Sequence, residues 1–186
     1  RNYIIRRASN LSKAAHIIAA NIDCAVLIAT LAHPATSFNF IDRFLATAEA
    51  YNVPAALIIN KTDLLTAPED RQLLEGVLYL YRSIGYTAMA VSAATGEGLA
   101  ELSEFLKDKV SLISGNSGVG KSTLINALIP GADVRTAEIS ASHDTGMHTT
   151  TFSEMYSLPG GGQLIDTPGV RGFGVFDFRS EDVGHY

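Results

Sequence analysis

One cysteine, Cys24, is all the sequence has, which excludes an intrachain disulfide and any multi-cysteine zinc site. That usage fits a reducing compartment, and the expectation is a cytoplasmic protein, monomeric and away from membranes. Long apolar runs are also missing. The most apolar stretch, residues 14–32, is interrupted by His16, Asn21 and Asp23 and cannot span a bilayer unbroken. No signal-peptide pattern precedes it. Positive charge is scarce too: 14 Lys and Arg against 19 Asp and Glu leave a net charge of −5, so the bulk field repels nucleic acid. Arg1, Arg6, Arg7 and Lys13 are the local exception, a basic start without acids. A solvated face is its plainer reading and an RNA-facing patch the alternative. The chain opens at Arg1 without a methionine, and reads as a domain excised from a longer product.

What remains is the composition of one ordinary globular domain, 186 residues with 47% hydrophobic and 18% charged. Short apolar runs alternate with amphipathic stretches, which predicts an α/β sheet with crossover helices. Strands are expected at 23–30, 54–59, 86–91 and 110–114, and helices at 38–51, 68–84, 98–109 and 121–129. In the second helix Leu73, Leu74, Val77, Leu78 and Tyr81 recur at helical spacing. From 136 to 150 the periodicity fails in a polar run of Ser, His, Thr and Gly, a long loop of the kind that signals function or mobility. Residues 151–158 and 163–165 flank Pro159 and three glycines, a hairpin signal. No internal repeat is visible.

Gly115-Asn-Ser-Gly-Val-Gly-Lys-Ser122 matches GxxxxGK[ST] between a predicted strand and a predicted helix. Its glycines let successive N–H groups turn inward, and the helix start adds positive potential, which together suit a polyphosphate. Asn116, Ser117, Gly118, Val119 and Gly120 would wrap the phosphates, and Lys121 would reach the β- and γ-phosphates. Ser122 would ligate magnesium, and Thr123 beside it completes the contact set. Asn60-Lys61-Thr62-Asp63 selects the base. Guanine offers two adjacent donors, N1–H and N2–H₂, which the carboxylate of Asp63 can accept, whereas adenine would leave a buried Asp63 unpaired. Asn60 would address O6 and N7, and the Lys61 stem would cover the ring. Ser92-Ala93, after the third strand, would supply a backbone N–H to O6 with Ser92 bracing the loop. Alone that pair is a small-residue turn.

Asp166-Thr-Pro-Gly169 follows a predicted strand. Asp166 would hold magnesium through water, and the Gly169 amide would sense a γ-phosphate. In the polar loop, Thr150, with Thr149 and Thr151 as neighbours, would give magnesium a second hydroxyl. The order is unusual. Ordinary GTPases run P-loop, switch threonine, DxxG, NKxD, SA, whereas here NKxD and SA come first. Joining the former termini across residues 98–114 produces that circular permutation without disturbing the sheet that positions the side chains. The predicted fold is thus a P-loop NTPase three-layer sandwich, mostly parallel with one antiparallel hairpin strand, circularly permuted.

With the phrases NIDCAVLIAT, NKTDLL, SAATGEGL, GNSGVGKSTLINAL, GMHTTT and IDTPGVRGFG, the chain resembles the ribosome small-subunit-dependent GTPase family RsgA (YjeQ) along essentially its whole length. The resemblance implies a GTPase of late small-subunit maturation, with Mg²⁺, GTP/GDP as ligand, and turnover stimulated by the subunit. It also implies an N-terminal OB-fold and a C-terminal zinc-binding domain, neither expected within 1–186. Those flanks, with the only zinc, would supply most contacts with ribosomal RNA. Ras-type proteins carry glutamine after DxxG, but Val170 stands here and cannot orient water. In the resembled family a histidine of the first switch loop is the candidate, and His148 matches that slot. The competing readings are a GTP-gated binding module with incidental hydrolysis, a permuted GTPase of the large subunit, and an adenine-nucleotide kinase, against which NKTD argues.

Overall fold

The computed structural model describes residues 3–7, 15–134 and 154–166. After an antiparallel ribbon of β1 (Tyr3–Arg7) and β2 (Ala15–Ala20) come β3 (Cys24–Ala29), α1 (Phe38–Ala50), β4 (Ala55–Ile59), α2 (Pro68–Ser83), β5 (Thr87–Ala90), α3 (Leu99–Leu106), β6 (Val110–Gly115), α4 (Lys121–Leu128), β7 (Glu154–Ser157) and β8 (Gln163–Asp166). The main sheet has six strands in the order β5-β4-β3-β6-β8-β7, all parallel except the β7–β8 pair. The predicted strands and helices are found, most shortened by a residue or so at their ends. Helix 98–109 shrinks most, to Leu99–Leu106. The ribbon was not foreseen. A polar stretch, 8–14, separates its strands and hides the hairpin signal.

Every residue of β3 is buried, which explains its unbroken apolar run: a central strand in a parallel sheet has a covered layer on each face. Ala25, Leu27 and Ala29 pack with Ile41, Phe44, Leu45, Val77 and Tyr81 of α1 and α2. Cys24, Val26 and Ile28 pack with Leu102, Leu106, Leu124, Ile125 and Leu128 of α3 and α4. The period-two alternation of the strand thus assigns the helices to opposite faces and makes the three layers.

The joint between α3 and β6, where the permuted order rejoins, is tight. Asp108 adopts a positive φ of 58° there. The β7–β8 turn packs on it, and Gln163 N–H donates to Lys109 O at 2.8 Å. Gly162, at φ 94°, admits no side chain: a Cβ there would lie 2.7 Å from Leu106 O and 2.8 Å from Lys109 O. The carboxyl ends of β3, β4, β6 and β8 all point to one edge of the sheet, where open α/β folds place ligands.

Candidate nucleotide site

The turn after β6 is built on its glycines. Gly118 and Gly120 take φ of 83° and 85°, values that side-chain-bearing residues adopt only at a cost. Gly115 lies so close to β3 that a Cβ would stand 2.6 Å from Ile28 O. Val119, fully buried, anchors the turn in the core. α4 then begins at Lys121, whose Nζ lies 2.8 Å from Asp166 Oδ1 at the end of β8. Both side chains of this pair are largely buried, 17% and 8% exposed. Lys121 and Asp166 are brought together because β6 and β8 are paired neighbours, Ile113 opposite Asp166.

The NKTD segment meets the same turn. Asn60, 2% exposed at the end of β4, donates from Nδ2 to Val119 O at 2.9 Å and accepts the Ala93 N–H on Oδ1 at 3.1 Å. One amide therefore ties together three segments that are far apart in sequence. Nδ2 carries a second hydrogen, which can be donated to a further acceptor. Gly120 is where the two segments touch: a Cβ on it would lie 2.6 Å from Asn60 Nδ2.

Lys61 sits in the left-handed region, φ 64° and ψ 36°, and its Nζ donates to His33 O at 2.7 Å. Asp63 accepts the Ser92 hydroxyl at 2.6 Å, and Ser92, fully buried, accepts the Thr95 N–H at 3.2 Å. A carboxylate has about four acceptor positions, so capacity is left on Asp63 for two donors of a base. Ser92 thereby braces both the loop and the carboxylate.

The segment after β3 matches no sequence motif, and its only signal is Pro34, with Thr30, His33 and Thr36 around it, at a buried strand's carboxyl end. Thr30 N–H donates to Thr36 Oγ1 at 3.1 Å, the Thr30 hydroxyl donates to Pro34 O, and this closes a small loop. Its Pro34 Cδ would lie 3.3 Å from a Cβ at Gly118, so the loop borders the phosphate turn while its His33 carbonyl holds Lys61. Asn116, Ser117, Ser122 and Thr123 line the turn and the first turn of α4 at intermediate or full exposure. Thr150, His148 and Gly169 lie outside the described residues.

A profile of the RsgA GTPase family matches residues 1–176. The chain belongs to the RsgA GTPase family. It is 58% identical over 186 residues to a small ribosomal subunit biogenesis GTPase RsgA of Bacteroides fragilis, covering 100% of this chain and 60% of that one. Its identity to the RsgA of Porphyromonas gingivalis is 57% over 189 residues, with the same coverage of 100% and 60%. This RsgA-family chain thus spans about 60% of the length of those relatives. YjeQ from Thermotoga maritima superposes with a TM-score of 0.67 at 33% identity, covering 91% of this chain and 52% of that one. YloQ, described as a circularly permuted GTPase, gives a TM-score of 0.67 at 27% identity, with 98% and 61% covered. The mixed sheet, mostly parallel with one antiparallel pair, is the RsgA-family fold.

Proposed function

We propose that this domain binds GTP and GDP with Mg²⁺ and hydrolyses GTP as part of a cytoplasmic, monomeric factor for small ribosomal subunit biogenesis, its turnover raised by the subunit. The Asn60–Val119 hydrogen bond carries the reading, since it sets a base-selecting motif beside a phosphate-wrapping one. The names of the relatives supply the ribosomal context. Among the described residues no helix is long and apolar enough to cross a membrane.

The residues fit magnesium. Asp166 Oδ1 is buried, ion-paired with Lys121 Nζ at 2.8 Å and, among the described residues, otherwise without a hydrogen-bond partner, and a hard oxygen donor suits this cation. Ser122 and Asp166 would hold it, with Thr150 as a further oxygen. Bound there, magnesium would neutralise negative charge on the phosphate oxygens. Lys121 adds a positive charge on the same oxygens, and the turn from Asn116 to Gly120 offers backbone N–H groups to them. Asp63 and the Ala93 N–H orient the base, and Lys61, held by His33 O, covers its face. His148 would orient the attacking water and the Gly169 amide would meet the γ-phosphate. We assign zinc, and most of the contact with ribosomal RNA, to flanking segments outside residues 1–186, in line with the net charge of −5.

Single-turnover GTP hydrolysis, with and without purified small subunits, tests the proposal. Stimulation by the small subunit, abolished in His148→Ala, is the expected result. Turnover indifferent to the subunit would instead favour a nucleotide-gated binding module.

A further inference from the structure

Thr30 follows the wholly apolar β3 and is fully buried, and Thr36, six residues on, is 6% exposed. Hydroxyls placed so deep need partners. These two find them in the backbone of the loop they bound. Thr30 N–H donates to Thr36 Oγ1 at 3.1 Å, and Thr36 N–H donates back to Thr30 O at 2.8 Å. The Thr30 hydroxyl then reaches across the loop to Pro34 O. Beyond Thr36 the chain is held again, since Ser37 caps α1 and accepts the Phe40 N–H at 3.3 Å. The exposed tip, His33 and Pro34, is thereby fixed from a buried base.

The tip meets Lys61. His33 O accepts from Lys61 Nζ at 2.7 Å, and both residues sit at positive φ, 50° and 64°. Side-chain-bearing residues keep that conformation where their surroundings impose it. Between its two ends Lys61 runs past the phosphate turn: its Cε would lie 3.7 Å from a Cβ on Gly120. The acceptor at its far end neighbours Pro34, which borders Gly118. A lysine has more rotamer freedom to lose than most residues, and a base that uses its stem as a platform must order it unless the protein has done so already.

We infer that Thr30 and Thr36 are positioning residues for guanine-nucleotide affinity: they set the His33 carbonyl that holds Lys61 extended along the phosphate turn, so the stem is ordered before a base arrives. The inference rests on the proposed GTP-binding reading. It gives neither threonine a contact with nucleotide. Because the base is common to both ligands, GDP and GTP gain alike.

Equilibrium binding of a fluorescent GDP analogue to wild type, Thr30→Val, Thr30→Ser, Lys61→Met and the double variant Thr30→Val with Lys61→Met tests this. Valine keeps the branched shape and drops the hydroxyl, serine keeps the hydroxyl, and methionine keeps an unbranched stem without the ammonium. One lost hydrogen bond of ordinary strength gives a roughly fivefold weaker affinity in Thr30→Val, with Thr30→Ser within about twofold of wild type. With methionine at 61, adding Thr30→Val should cost less than about twofold more, because the two changes break one chain of contacts. A loss undiminished by Lys61→Met would mean that the loop acts on the fold or the phosphates, and overturns the inference. So would no loss in Thr30→Val, an equal loss in Thr30→Ser, or unchanged affinity in Lys61→Met. Thr36→Val breaks the other tie and carries the same cycle where Thr30→Val does not fold. Each of these outcomes leaves wild-type binding intact, whereas failure of wild type to bind guanine nucleotides would sink the function proposal as well.

Discussion

Gly120→Ala is the substitution that strikes at the meeting point of the two motifs. The new Cβ would stand 2.6 Å from Asn60 Nδ2, at a residue whose φ is 85°. Holding alanine in the left-handed region costs about 1–2 kcal/mol. The clash adds to it, because Asn60 cannot retreat without giving up its bonds to Val119 O and Ala93 N–H. Leaving one buried amide partner unsatisfied costs about 1–3 kcal/mol, so the total is roughly 2–5 kcal/mol, a large part of the stability of an ordinary domain. Urea denaturation measures this directly, and Gly85→Ala is the control. Gly85 has a φ of 100° but open space around its missing Cβ, so it reports the backbone term alone. Binding of a fluorescent GDP analogue should fall with Gly120→Ala by tenfold or more (on the order of 1.4 kcal/mol) because Asn60 is displaced. Equal denaturation shifts for the two variants, together with unchanged GDP affinity, would refute the contact.

Two further outcomes are expected. Lys121→Ala leaves the buried Asp166 carboxylate without its cation and should cost about 3 kcal/mol or more; adding Asp166→Asn should return part of that stability while nucleotide binding stays lost. A double variant no more stable than the single one would argue against the pair. Burial, partly offset by Lys109 and reinforced by Asp23, pushes the Cys24 thiol from 9.0 up to about 11. A raised folded-state value means its contribution is intact below about pH 9 and is lost as pH rises toward 11, at about 1.4 kcal/mol per pH unit. Denaturation midpoints from pH 8 to 11 should therefore fall less steeply in Cys24→Ala, and parallel slopes would count against the burial argument.

Much of this architecture was legible because burial and chemistry leave different marks. The runs DCAVLIAT and PAALII announced central strands, and the burial of β3 and β4 is the cause of that pattern. Glycine spacing exposed the phosphate turn, since Gly118 and Gly120 are there for their backbone angles. The residues that support the site were harder to see. Nothing in the sequence says that the His33 carbonyl holds Lys61, because a backbone acceptor leaves no residue-type signature. Thr30 reads as the end of an apolar strand until the loop after it returns Thr36 to it. The ribbon of β1 and β2 escaped for a different reason: its strands are neighbours in the sequence, but residues 8–14 between them resemble an ordinary loop.

Competition between guanine and adenine nucleotides is the most direct measurement of whether residues 60–63 and 115–122 serve one ligand. Displacement of a bound fluorescent guanine nucleotide should need roughly a thousandfold less GDP than ADP, since a half-buried carboxylate that the base covers is left unpaired by a base that offers it no donors. ADP competing within about tenfold of GDP would mean that Asp63 does not read the base, and the joint site would have to be abandoned.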